Sequence, residues 1–155
     1  MRRSAELSSC GTYRYALRRA WDAARPPVLF VMLNPSTADA EVEDRTVGRC
    51  VGFARDWGHG GLVIANLFAF RSTDPRALRS APDPVGPEND RWLAALARGA
   101  GLVVAAWGND GRYRGRDAAA SPLLGPVHCL GVTGRGAPRH PLYVRAGVAP
   151  SVLAR

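Results

Sequence analysis

Four polar positions stand where a buried apolar run gives way to a turn, and their side chains are of types that can do chemistry. Asn34 follows Val28-Leu29-Phe30-Val31-Met32-Leu33 and precedes Pro35-Ser36-Thr37-Ala38-Asp39. Asn66 sits near the end of the run Leu62–Phe68, Gly108-Asn109 follows Leu102–Trp107, and His140-Pro141 lies in the loop after Val127–Gly131. A carboxamide offers an oxygen that orients a water and an N–H that reads the edge of a base. A neutral imidazole donates one bond to developing negative charge. That inventory suits cleavage of a bond that breaks largely by itself once its leaving group is stabilised. Serine-hydrolase, P-loop and zinc chemistries are unsupported, because the chain has no nucleophile elbow, no Walker loop and no metal-ligand spacing.

The elements that must position these residues read as an alternation of strands and helices. Six apolar residues before Asn34 are too few to span a membrane and suit a strand buried on both faces, which Pro35 ends by removing a backbone donor. Ser36, Thr37 and Asp39 can open the following turn. Asp44-Arg45-Thr46 offers cap chemistry for a helix with Val47, Cys50, Val51, Ala54 and Trp57 at helical spacing, stopped by Gly58, Gly60 and Gly61. A helical turn is expected at Pro75–Arg79, a helix after Pro84-Val85-Gly86-Pro87-Glu88-Asn89-Asp90 with Trp92, Leu93, Leu96 and Ala97 inward, and a short one over Asp117–Leu124. Residues Thr12–Trp21 alternate as a half-exposed strand, expected to pair antiparallel with 28–33 as a sheet edge, while 1–11 show no pattern. The fold class is therefore α/β: three layers, α/β/α, around a mostly parallel four-stranded central sheet with an antiparallel N-terminal edge strand. Parallel strands end on one edge, so Asn34, Asn66, the Gly108 loop and the His140 loop should share one crevice.

Composition bounds the partners. A chain of 155 residues suits a single domain over 1–155, with its core at about 13–148. The net charge of +8 suits an anionic partner, but every basic residue is arginine and none lysine, which discounts the charge as a selected patch. Cys10, Cys50 and Cys129 are too far apart for a metal pair and odd in number, as expected of reduced thiols in a cytoplasmic protein. No apolar leader follows Arg2 and Arg3, and no run approaches membrane-spanning length.

Several positions have two readings. A buried Asn66 either bonds a neighbouring loop or reads a ligand. Gly108 either makes the turn or admits a close backbone approach. The arginines of 12–21 line a groove or guard a sheet edge. Arg112-Tyr113-Arg114-Gly115-Arg116 suits phosphate contact or is ordinary surface. Asp39 and Asp44 suit turn and cap roles, yet either can replace Asn34 as the water-activating group. Trp107 reads as packing behind the crevice wall, and neither His59 nor His128 is assigned a role.

The residues NPSTAD, Trp57-Gly58, NLFAFR, PVGPEND, AAWG and HPLY, spread from about Tyr13 to Val148, resemble the bacterial domain-of-unknown-function family 1643. The order Leu33-Asn34-Pro35, Asn66, Trp107-Gly108 and His140-Pro141 also resembles the motif order of the uracil-DNA glycosylase superfamily. That second resemblance implies a DNA-glycosylase-like protein that hydrolyses the N-glycosidic bond of a modified or mismatched base. Asn34 would orient the attacking water, Asn66 would bond the edge of a flipped pyrimidine, and His140 would support charge on the departing base. Gly108 would lie close to nucleic acid, and Leu142 or Tyr143 would fill the gap left by the flipped base.

Two departures stand out. No aromatic residue to stack on the base occurs between Ser36 and Arg45, and Leu142 replaces the serine usual after histidine and proline. The family's iron–sulfur cysteines are missing, so no cofactor is implied. The candidate catalytic residues are Asn34 and His140. Leu33, Pro35, Ser36, Asn66, Gly108, Asn109, Arg139, Pro141, Leu142 and Tyr143 are candidates for contact with nucleic acid, DNA rather than RNA, or with a nucleotide. The expected protein is a cytoplasmic monomer with no metal and no membrane partner. A non-catalytic base-recognition module and an enzyme on free nucleosides or nucleotides are the alternatives.

Overall fold

The computed structural model describes residues 1–36 and 44–154. Seven strands form one mixed sheet in the order β1-β2-β4-β3-β5-β6-β7. They are β1 (Arg2–Leu7), β2 (Arg14–Ala20), β3 (Val28–Met32), β4 (Gly61–Asn66), β5 (Leu102–Ala105), β6 (His128–Cys129) and β7 (Ser151–Val152). β3 runs parallel to both β4 and β5, and β5 parallel to β6, whereas β1–β2, β2–β4 and β6–β7 pair antiparallel. Four α-helices are found among the described residues: α1 (Arg45–Asp56), α2 (Pro75–Ser80), α3 (Asn89–Gly99) and α4 (Arg116–Leu124).

β3 and β4 are buried along their whole length because helices cover both faces. Val47, Cys50, Phe53 and Ala54 of α1 pack on Val28, Phe30, Leu62 and Ile64. On the opposite face Leu78, Leu93, Leu96, Ala120 and Leu124 pack on Leu29, Val31, Val63 and Ala65. Alternate residues of each strand thus serve different cores, which explains why neither strand alternates in polarity. Helix α1 starts where the Asp44 carboxylate accepts a bond from the Val47 N–H at 2.9 Å.

The N-terminal strand departs from expectation. β2 lies beside β4, with Leu17 opposite Ile64, and not beside β3. It is no edge either, because Arg2–Leu7 adds an outer strand despite lacking a clear pattern. A strand flanked on both sides and covered on both faces has no solvated side, so Arg14 and Arg19 are buried together with Tyr15 and Leu17. Trp21 leaves the strand, its indole N–H donating to the His59 carbonyl at 3.0 Å. The fourth parallel strand is only His128–Cys129, and Arg116, from the stretch that suits phosphate contact or ordinary surface, is instead buried at the start of α4. No helix among the described residues is long and apolar enough to cross a membrane.

Candidate functional site

β3 and β4 end side by side, Met32 being the register partner of Asn66. Beyond that point the Leu67 N–H donates to the Met32 carbonyl and the Phe68 N–H to the Leu33 carbonyl, so pairing continues past both strand ends. β5 stops one register position earlier, at Ala105 opposite Val31, and its chain runs on through Trp107 to Gly108. The three ends and the loop carrying His140 surround a cavity of about 730 Å3. Asn34, Asn66, Gly108, Asn109, His140, Leu33, Ser36, Leu142 and Tyr143 all line it.

Each polar wall residue is held in its own way. Asn34 donates from Nδ2 to the carbonyls of Ser72, at 3.1 Å, and Pro35, at 3.3 Å. The Ser72 N–H returns a bond to the Pro35 carbonyl at 3.0 Å, locking this turn to the segment after β4. With its N–H groups so committed, Asn34 offers a ligand its Oδ1. Asn66 is 1% exposed, and its Nδ2 has no hydrogen-bond partner among the described residues. A buried donor left unmade costs roughly 1–3 kcal/mol, and the residue that carries this one lines the cavity.

His140 opens the 3-10 turn Pro141–Tyr143, and its Nδ1 accepts a bond from the Leu142 N–H at 3.2 Å. The neutral ring therefore carries its proton on Nε2. Burial pushes the imidazole below the usual histidine range, opposed by the carboxylate of Asp44. The site thus holds a neutral histidine with one N–H to give. Asp44 also lines the cavity, one carboxylate oxygen capping α1 and the other accepting from the Ser36 hydroxyl at 3.1 Å.

Gly108 adopts φ 73° and ψ −170°, a conformation essentially confined to glycine, and a Cβ there would meet nothing within 4 Å. Backbone geometry and open space thus both hold at this position. The Asn109 Oδ1 accepts from the Thr133 hydroxyl at 2.7 Å, tying the β5 loop to the loop that leads to His140. Tyr143 is 80% exposed, with its ring 5.7 Å from that of His140.

The match to a model of a family described as "Protein of unknown function (DUF1643)" covers residues 14–142. The chain belongs to the DUF1643 family. Nothing among curated proteins or solved structures matches it.

In this DUF1643 chain three expected contact residues stay off the cavity wall. Pro35 and Pro141 are buried turn formers, and Arg139 is exposed, its Nε donating to the Val132 carbonyl at 3.1 Å. Asp39 lies outside the described residues. The structure adds Arg14 from β2, Thr46 from α1, Asp110 from the β5 loop and Arg135 from the loop after β6. The arginines of 12–21 were legible as lining a groove or guarding a sheet edge, and Arg14 lines the cavity; Arg135 stood unremarked in a glycine-rich loop. Trp107, 6% exposed, and Tyr143 are the aromatic wall residues. No group of three metal-ligating side chains is present among the described residues.

Proposed function

We propose that this protein hydrolyses the N-glycosidic bond of a modified or mismatched base in nucleic acid, on a uracil-DNA-glycosylase-like fold. The observation that carries the reading is the buried, unpartnered Nδ2 of Asn66 in one cavity with the Nε2–H of a neutral His140 and the Oδ1 of Asn34. Two donors in one cavity call for a ligand with two acceptors, as the carbonyl-bearing edge of a base provides. The strand order β4-β3-β5-β6 of the four parallel strands, with helices on both faces, supports the fold assignment.

In this mechanism the C1′–N bond breaks with its electron pair passing to the base. The His140 Nε2–H donates to the base oxygen that gathers the charge, and the Asn66 Nδ2 donates to a second acceptor on the same edge. A water held by the Asn34 Oδ1 attacks the oxocarbenium-like C1′ and releases its proton to solvent. A histidine kept neutral by burial suits this role, since it stabilises the departing anion without protonating it in advance. Trp107 and Tyr143 supply the aromatic surfaces that the stretch after Asn34 lacks.

The testing experiment incubates the protein and its Asn34→Ala variant with oligonucleotides carrying a panel of altered bases and scores alkali-labile abasic sites. Cleavage by the parent that the variant loses is the expected result. No cleavage of any oligonucleotide overturns the reading. Salt-sensitive binding retained under those conditions marks a recognition module instead.

A further inference from the structure

The stretch PVGPEND has no part in the chemistry above, yet its next-to-last residue, Asn89, is an asparagine buried completely. The Asn89 Nδ2 donates to two consecutive carbonyls, of Asn66 at 2.9 Å and of Leu67 at 3.1 Å. The Leu67 carbonyl takes a second bond, at 2.7 Å, from Nε of Arg116, itself buried and anchored at 2.6 Å to the Asp90 carboxylate. These carbonyls belong to the last residue of β4 and the one after it. Burying a guanidinium for a backbone carbonyl is costly unless every bond is placed, and here the return is a fixed strand end.

The preceding loop is shaped to deliver Asn89. The Ala69 N–H donates to the Val85 carbonyl and the Phe70 N–H to the Pro84 carbonyl, so the loop runs alongside the continuation of β4. Gly86 has φ 94°, and a Cβ there would come to 3.0 Å of the Tyr13 ring and 3.3 Å of the Tyr15 ring. Only glycine lets the loop lie this close to β2.

We propose that Asn89 and Arg116 are positioning residues that set the backbone of Asn66, and through it the direction in which the unpartnered Nδ2 enters the cavity. The functional weight of this rests on the reading that Asn66 meets the ligand; the geometric part does not. The chain has four asparagines, Asn34, Asn66, Asn89 and Asn109, and no glutamine. Side-chain NH2 signals in a proton–nitrogen correlation spectrum are therefore four pairs, assignable by single Asn→Asp variants.

In Asn89→Ala the Asn66 pair is expected to shift while the Asn34 and Asn109 pairs hold their positions. Asp90→Ala removes a carboxylate that is 60% exposed, so folding should survive, and by loosening Arg116 it should move the same pair. A lowered melting temperature with the Asn66 pair unmoved, in either variant, overturns the proposal. An unfolded Asn89→Ala leaves Asp90→Ala to decide. The spectrum needs no ligand, so its failure is separable from failure of the glycosylase reading, which Asn66→Ala tests in the cleavage assay.

Discussion

The Leu142 N–H points at Nδ1 of His140, 3.2 Å away, and so fixes the tautomer of the one histidine in the cavity. A protonated ring would hold a proton on Nδ1 facing that N–H, so protonation breaks the bond as well as burying a charge. Burial lowers the His140 pKa, which means the folded protein binds fewer protons than the unfolded chain just below the ordinary value of about 6.5. Stability should be complete above that value and fall as pH drops from it to the lowered folded-state midpoint. The Cε1–H titration of His140 should give a midpoint below about 6.5, and cleavage should fall with acid along the same curve. A midpoint at or above the ordinary value would contradict the burial argument.

Asn34 carries a different constraint, because its Nδ2 faces two carbonyl oxygens. Asn34→Asp sets an acceptor against acceptors and should destabilise by about 1–3 kcal/mol at neutral pH. Asn34→Ala removes the same bonds without creating repulsion and should cost less stability, while losing about 10²–10³-fold in cleavage rate if the residue holds the water. Urea melts of the two variants read the first comparison, and single-turnover cleavage reads the second. Equal melts would mean that the bonds to Ser72 and Pro35 contribute little.

Much of this arrangement was legible in the sequence because burial on both faces writes itself as an uninterrupted apolar run. Val28–Leu33 leads into Asn34 and Leu62–Phe68 carries Asn66, and both asparagines line the one cavity. The Asp44 cap likewise announced α1. β2 was not legible in the same way. Its arginines mimic a solvated face, and the sequence cannot tell a charge in water from one held within a fold, so the strand's place beside β4 and the burial of Arg14 and Arg19 were missed. The role of Asn89 was hidden for a related reason: its partners are backbone carbonyls, which have no signature in side-chain identity.

Arg135 and Arg112 test the nucleic-acid part of the reading. Arg135 lines the cavity and Arg112, outside it, donates to the Arg135 carbonyl; both arginines are exposed, and neither has a carboxylate partner among the described residues. If each contacts one phosphate of a duplex, Arg135→Ala should make the slope of log affinity against log salt shallower by about 0.9 and weaken all sequences alike. Fluorescence anisotropy of a labelled duplex at several salt concentrations gives both quantities. An unchanged slope would place the phosphates elsewhere, and affinity indifferent to salt would point to a free nucleotide.

Two of the three thiols, Cys10 and Cys50, should part company. Cys10 is exposed and hydrogen-bonded to the Thr12 hydroxyl at 3.0 Å, with Ser8 also near, and these hydroxyls bring its pKa down to about 7. Cys50 lies in the α1 core, where burial drives its thiol well up. The thiolate is the reactive form, so iodoacetamide should modify Cys10 at a rate that rises with pH around a midpoint near 7. Cys50 should remain unlabelled until the protein unfolds. Ser8→Ala and Thr12→Val remove the bonds that favour the thiolate, and each should move the Cys10 midpoint upward. Mass spectrometry of partially labelled protein, with peptide mapping, separates the sites. Labelling of Cys50 at the rate of Cys10 in folded protein would mean that α1 opens readily, and α1 with its cap Asp44 supplies Asp44, Thr46 and Val47 to the cavity wall.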